Sequence, residues 1–298
     1  MRVVYSPWYH IDIGTHVYPT VKYQMVQRAL ASAGGYEFVE APPAPWDDLA
    51  LVHSAEYLEK ARTGTFSVDE IAQLELPWSP EVVDGFRLMT GGTVLAAKHA
   101  LDSGAAGVGL HIGGGFHHAF ANHGEGFCLF NDVAVAIRVL QRERLIARAA
   151  VIDCDVHHGN GTAMIFDGDP AVFTFSIHQQ HNYPAFKPCS SLDIGVEDRI
   201  GDAEYLAKLR NALPKVLASK PQIVFYLAGA DPYEDDQLGG LGLSLEGLRE
   251  RDRVVFTGCR DAGTPIVITL AGGYARDLDD TVAIHRGTFE VAAAVLQP

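Results

Sequence analysis

Along the 298-residue chain, short continuous apolar runs alternate with longer stretches in which apolar residues recur every three or four positions. The runs at 3–5, 106–110, 149–153, 172–177, 223–228 and 266–270 lack the polar alternation of a half-solvated strand, so they read as strands covered on both faces. The stretches at 91–103, 133–144, 202–219 and 245–262 carry the helical period. Buried strands separated by helices predict a mainly parallel sheet with helices on either side, in one α/β domain spanning residues 1–298. No repeat or low-complexity segment interrupts the pattern, and APPAP at 41–45 is too short to be a linker.

The segments that follow four of these runs are polar in a particular way. They read HIGGGFHH (111–118), DCDVHHGNG (153–161), GADPYED (229–235) and AGGYARD (271–277). In open α/β sheets ligands bind beyond the carboxyl ends of the strands, where all four segments fall. Asp153, Asp155 and His157 stand at i, i+2 and i+4, a spacing that puts alternate side chains of an extended chain on one face. A cluster of two carboxylates and an imidazole is costly unless a cation neutralises it. With Asp231, ending its own run, Asp155 and His157 make an Asp2His set that leaves a coordination position open, the catalytic rather than the structural arrangement of Zn2+. Fe2+ would suit the same donors. The alternative for each feature alone is ordinary: solvated acids at a strand end, a surface His-His pair, a packed tyrosine at Tyr274. Beside a metal, His117 and His118 suit proton transfer to and from a water and a leaving amine. Tyr274, behind Gly272 and Gly273, suits hydrogen bonding to an oxyanion.

Composition narrows the partners. The net charge of −14 offers no basic patch for a nucleic-acid backbone. No apolar run approaches ~20 residues, so no membrane span is expected. The start, MRVVYSPWYH, lacks a signal-peptide core, and the four cysteines form no CxxC pair. Both point to a cytoplasmic protein with reduced thiols. Nothing in the pattern indicates an oligomeric state.

The segments YSPWYH (5–10), GGGFHHA (113–119), GEGFCLFND (124–132), VIDCDVHHGNG (151–161), FYLAGADPYEDDQLGGLGLS (225–244) and LAGGY (270–274) together resemble the zinc-dependent histone deacetylase superfamily, in its order and over most of the chain. The form is closest to the class IV branch and its bacterial relatives. The resemblance implies a three-layer arginase/deacetylase-like fold and a metal-dependent amidohydrolase that removes an acyl group from an amine such as N-acyl-lysine by metal-activated water. It implies zinc on Asp155, His157 and Asp231, with His117 and His118 as tandem histidines and His118 as general base and acid. Tyr274 polarises the carbonyl, and Asp153 orients His117. Gly126 accepts the substrate amide N–H, while Phe127 and Tyr183 wall the channel. A structural K+ falls to Asp153, Asp155, His157, Ser176 and Ile177, and Phe166, Asp169 and Val172 match part of a second monovalent site. Many family members carry Asp where this chain has Asn160, which orients His118 without supplying charge; Asn160→Asp is therefore expected to raise the acidic limb of the pH–rate profile. An acetylpolyamine amidohydrolase, a binuclear arginase-type ureohydrolase and a non-catalytic acyl-amine binding protein are the competing readings. The second is disfavoured by Gly159, which stands where a bridging Asp would be. Trp78 is a further candidate for the rim, and Glu234, Asp235 and Asp236 for attracting a polyamine.

Overall fold

Successive residues of the central strands feed two different cores. Ala150, Ile152, Val224, Tyr226, Ile266 and Ile268 pack with Leu30, Leu209, Val255 and Phe289 in one buried cluster. Their strand neighbours Val151, Phe225, Leu227 and Val267 pack with Ala96, Ala100, Ile137 and Leu140 in the other. A continuous apolar run is what such a two-faced strand requires. The computed structural model describes residues 1–102, 104 and 107–296. Ala106 and Ser103, at the ends of an expected strand and helix, lie outside them.

Among the described residues the sheet has eight strands: β1 (Arg2–Val4), β2 (Glu37–Val39), β3 (Val108–His111), β4 (Ala149–Asp153), β5 (Val172–Gln179), β6 (Leu192–Val196), β7 (Val224–Leu227) and β8 (Ile266–Thr269). Their order is β2-β1-β3-β8-β7-β4-β5-β6, and every pairing is parallel. Helices Lys22–Ala33, Asp202–Leu217, Leu245–Asp261 and Leu278–Leu296 cover one face, and Pro80–Asp102 and Asp132–Arg142 the other. This is a single three-layer α/β domain, as the pattern predicts.

The helix expected at 91–103 begins earlier, at Pro80, where the Ser79 hydroxyl caps the Val82 N–H at 3.2 Å and proline takes the first helical position. This helix lies so close to β3 that a Cβ on Gly109 would strike the Ala96 backbone. Four neighbouring strands, β3, β8, β7 and β4, form the centre of the sheet. The four Gly-, His- and Asp-rich segments follow these strands, so the parallel topology gathers them on a single rim.

Candidate active site

Asp155, His157 and Asp231 converge, all buried, with their ligand atoms within 4.8 Å of one another. Asp155 Oδ1 lies 3.0 Å and Asp231 Oδ2 3.5 Å from His157 Nδ1. The convergence does not come from an extended chain. β4 ends at Asp153, and the chain then turns so that Asp153 Oδ1 accepts from the Asp155 N–H (3.1 Å) and Asp155 Oδ1 from the His157 N–H (2.9 Å). Asp153 is thereby directed away from the triad: its Oδ2 lies 2.6 Å from His117 Nδ1. Cys154 and Val156 point into the core, as the alternation predicts.

The chemistry of this set fits a cation. Asp231 Oδ2 is buried and has no hydrogen-bond partner among the described residues. Burial and the neighbouring Asp155 carboxylate push Asp231 above the usual carboxylate range. The His157 imidazole, 3.5 Å from Asp231 Oδ2, offsets part of this, and a cation at the open end of the triad would relieve both. Gly272 makes room for it, because a Cβ there would strike the Asp231 carboxylate, while its N–H donates to Asp155 Oδ2 at 2.8 Å. The donor set, two carboxylates and one imidazole with nothing closing the fourth side, suits zinc or a similar divalent ion.

The tandem histidines stand beside the triad with ring centroids 4.1 Å apart, in different electrostatic settings. Burial opposes a charge on His117, but Asp153 and Asp155 outweigh it and raise its pKa to about 9. For His118 burial is reinforced by repulsion from His117 and His157, and its pKa falls well below 6.5. His118 Nδ1 lies 2.7 Å from Asn160 Oδ1. An amide oxygen only accepts, so Nδ1 carries the proton and Nε2 keeps its lone pair. Behind Asn160, its Nδ2 donates to Glu125 Oε1 at 2.6 Å. Glu125 also accepts from the Tyr183 hydroxyl (3.1 Å) and Gln73 Nε2 (3.0 Å). The sequence reading treated Asn160 as uncharged support for His118; the structure puts a carboxylate one hydrogen bond further out.

A cavity of about 190 Å3 opens on this constellation, lined by His117, His118, Gly126, Phe127, Asp155, His157, Tyr183, Leu238, Gly272 and Tyr274, with Glu75 and Tyr18 among the others. Gly126 (φ +51°) and Phe127 (φ +64°) occupy the left-handed region, held by hydrogen bonds from their N–H groups to the Gln73 and Leu74 carbonyls (3.2 and 3.0 Å). The Phe127 ring stacks on Tyr18 at 6.0 Å and meets Tyr274 edge-on at 6.0 Å. Tyr183 packs edge-on to His118 at 5.0 Å. Burial, with Asp155 and Asp231 nearby, raises the Tyr274 phenol well above 10, so it stays a donor. Of the expected potassium residues, Asp153 and Ser176 are register partners across β4 and β5, and Ile177 follows Ser176. Asp169 pairs with Arg138 at 2.8 Å.

Some assignments change. Trp78 is not part of the cavity lining; its indole donates to the Ala61 carbonyl at 2.9 Å. Glu234 and Asp235 are exposed, but Asp236 is buried and accepts from the Leu238, Gly239 and Tyr274 N–H groups at 2.7–2.9 Å, so it shapes the tyrosine loop. Three supports escaped the sequence reading. Glu125 was visible only as the residue before Gly126. Asp132, inside an apolar helix start, accepts from the Gly115 and Phe116 N–H groups and fixes the glycine turn before the histidines. Lys22, fully buried beneath Tyr274, donates to the Ala271 carbonyl at 3.0 Å and carries a pKa lowered to about 8 by burial.

Comparison with known proteins agrees with this geometry. The histone deacetylase domain model matches residues 16–286. An uncharacterized protein of Picosynechococcus sp. is 40% identical over 95% of each chain. Histone deacetylase 2 of Arabidopsis thaliana is 33% identical, covering 95% of this chain and 77% of its own. In fold, the structure of acetylpolyamine aminohydrolase from Burkholderia pseudomallei superposes with a TM-score of 0.82 at 20% identity, over 99% of both chains. A buried triad able to hold a metal, tandem histidines and a family match across the chain lead to one conclusion: this protein belongs to the histone deacetylase family and is a hydrolase of the deacetylase type.

Proposed function

We propose that this protein is a zinc-dependent amidohydrolase that removes a short acyl group from an acylated amine such as N-acyl-lysine. The observation that carries the reading is the buried Asp231 Oδ2, without a hydrogen bond among the described residues, in a triad facing a cavity into which His118 presents an unprotonated nitrogen. Asp155, His157 and Asp231 would hold the ion, which supplies Lewis acidity toward a carbonyl and activation of water. The protein's own groups do the rest. Phe127 and Tyr183 hold the slender stem of the substrate between aromatic faces, and the Gly126 carbonyl accepts its amide N–H. Tyr274 donates its hydroxyl hydrogen to the carbonyl oxygen as charge develops there. His118 Nε2 takes the proton of the attacking water, and either His118 or His117 delivers a proton to the departing amine. Potassium at Asp153, Asp155, His157, Ser176 and Ile177 would brace the β4–β5 end, a role read out by comparing K+ with Na+ buffers.

The cavity is below the about 300–1,000 Å3 of pockets for drug-sized ligands, which favours a short acyl chain over a long one. A second reading, hydrolysis of an acetylated polyamine, draws on the Glu75 carboxylate in the cavity wall, suited to a further cationic amine. A panel of acetyl-lysine, long-acyl-lysine and acetylpolyamine substrates, with and without chelator, separates these. Acetyl-lysine turnover lost to chelator, restored by Zn2+ and absent in Asp231→Ala is expected. Full activity in Asp231→Ala, or turnover indifferent to chelator, refutes the proposal.

A further inference from the structure

The residue after the ligand His157 faces a different direction and a different cluster. His158 is buried but does not line the catalytic cavity. Its Nε2 lies 3.2 Å from Asp193 Oδ1, on β6. A second buried imidazole, His178 on β5, meets it edge-on with ring centroids 4.6 Å apart. The ligand atoms of His158, His178 and Asp193 all lie within 4.8 Å of one another. Around a tetrahedral ion with bonds of about 2.1 Å, ligand atoms stand about 3.4 Å apart, so the His158–Asp193 pair already has the spacing of one edge, and the third donor lies within 4.8 Å of both.

We propose that His158, His178 and Asp193 form a second metal site, separate from the catalytic triad, that takes a borderline divalent transition metal such as Zn2+. The His158–Asp193 hydrogen bond leaves His158 Nδ1 buried without a partner among the described residues and does not account for the second imidazole packed against it. His178 is oriented in the way metal-ligating histidines are: Ser176 Oγ lies 2.9 Å from its Nδ1 and fixes the ring. With Nδ1–H donating to that hydroxyl, Nε2 keeps its lone pair and is the metal donor. Asp193 is likewise held, its Oδ2 accepting from the Ser190 N–H at 2.7 Å. Its side chain is 29% exposed, which gives an ion access from solvent and room for water on the open side. The two nitrogens and one carboxylate suit zinc, cobalt, nickel or copper(II) rather than magnesium or calcium. The consequence is mechanical. β6 is the outermost strand on its side of the sheet, and an ion would tie β5 and β6 to the turn that carries His157.

Metal-stripped protein titrated with Zn2+ by calorimetry, and with Co2+ by visible absorption, provides the test. The wild type is expected to take up two equivalents, and Asp193→Ala and His178→Ala one each; Mg2+ fills neither lost site. Asp231→Ala, lacking a catalytic ligand, should still take up one equivalent, which disappears in Asp231→Ala/Asp193→Ala. That pair of variants reads the new site by stoichiometry alone, whatever reaction the catalytic site performs. Saturation of the wild type at one equivalent overturns the proposal, as does a second equivalent that survives in Asp193→Ala. Should His178→Ala fail to fold, the partly exposed Asp193→Asn carries the comparison.

Discussion

Asn160 and Glu125 show why residue identity alone misjudges an environment. From the sequence, an amide in place of a carboxylate means less support for a protonated His118, and Asn160→Asp should restore it. In the structure the Asn160 Nδ2 already donates to Glu125 at 2.6 Å, so a new carboxylate at 160 would face an existing one at contact distance. Two such groups do not both ionise; they share a proton, and little charge reaches the imidazole. Asn160→Asp alone is therefore expected to leave the acidic limb of kcat/KM nearly in place while lowering its plateau. Asn160→Asp with Glu125→Gln should raise that limb by about one pH unit, because the new charge then acts on His118 unopposed. Equal upward shifts in the single and the double variant contradict this coupling. The role of Gly272 is as local: Gly272→Ala puts a methyl group against the Asp231 carboxylate and should remove zinc uptake at the Asp155/His157/Asp231 triad, read as the loss of one equivalent in a competition titration, with the fold retained by circular dichroism.

At the scale of elements, the sequence marks the interior and loses the margins. β4, β7 and β8 are legible because both faces are covered, which forces every position to be apolar. β2 and β6 were not singled out: β2 has three residues, none of them buried, and β6 alternates exposed and partly buried positions with a glycine inside. Helix Leu278–Leu296 hides its period differently, burying Thr281, His285, Gly287 and Thr288 among its apolar residues. Helix Leu245–Asp261 was legible as an element, yet nothing in its period shows what Arg251 does. Fully buried, that guanidinium donates to the carbonyls of Cys154 (3.3 Å) and Gly229 (2.6 Å) and binds Asp252 Oδ1 at 2.9 Å. It thus joins the turn that bears Asp155 to the turn that bears Asp231. Arg251→Met strands the Asp252 carboxylate without its cation, at a cost of about 3–5 kcal/mol in chemical denaturation. Adding Asp252→Asn should recover much of that stability. Zinc affinity at the triad should stay about 10–100-fold reduced in both, since the strut between the two turns is still missing, while the His158/His178/Asp193 site is unaffected. Normal affinity in the double variant would mean that the turns hold themselves.

For the whole molecule, the parallel topology turns four scattered polar segments into one rim, and the sequence order of the strands conceals that β3 and β8 are neighbours. The candidate metal triad was legible because carboxylates and histidines after buried runs are rare chemistry; the carboxylates behind it were not, because Asp132 and Glu125 look like ordinary helix-start and loop acids. The same buried polar frame sets the response of the fold to acid. His53 donates Nδ1–H to the Phe120 carbonyl (3.0 Å) and accepts the Asn131 N–H on Nε2 (3.1 Å), so its neutral form is fully used. Asn131 in turn caps helix Asp132–Arg142, whose Asp132 fixes the glycine turn. Burial, only partly offset by backbone acceptors, lowers His53 from 6.5 to about 4. The unfolded chain then binds the proton first: as pH falls from 6.5 toward 4 the unfolded state gains a proton that the native state refuses, and stability is lost across that window. That depression corresponds to about 3 kcal/mol, fully present above pH 6.5 and gone near pH 4. His53→Gln keeps an amide donor and acceptor but removes the titration. Carboxylates contribute alike to both proteins, so the difference in unfolding free energy between wild type and His53→Gln, followed by urea denaturation, should favour the wild type most at pH 7 and shrink by about 3 kcal/mol by pH 4. A difference that stays constant with pH would show that His53 is protonated within the native fold, with its bond to Asn131 already broken.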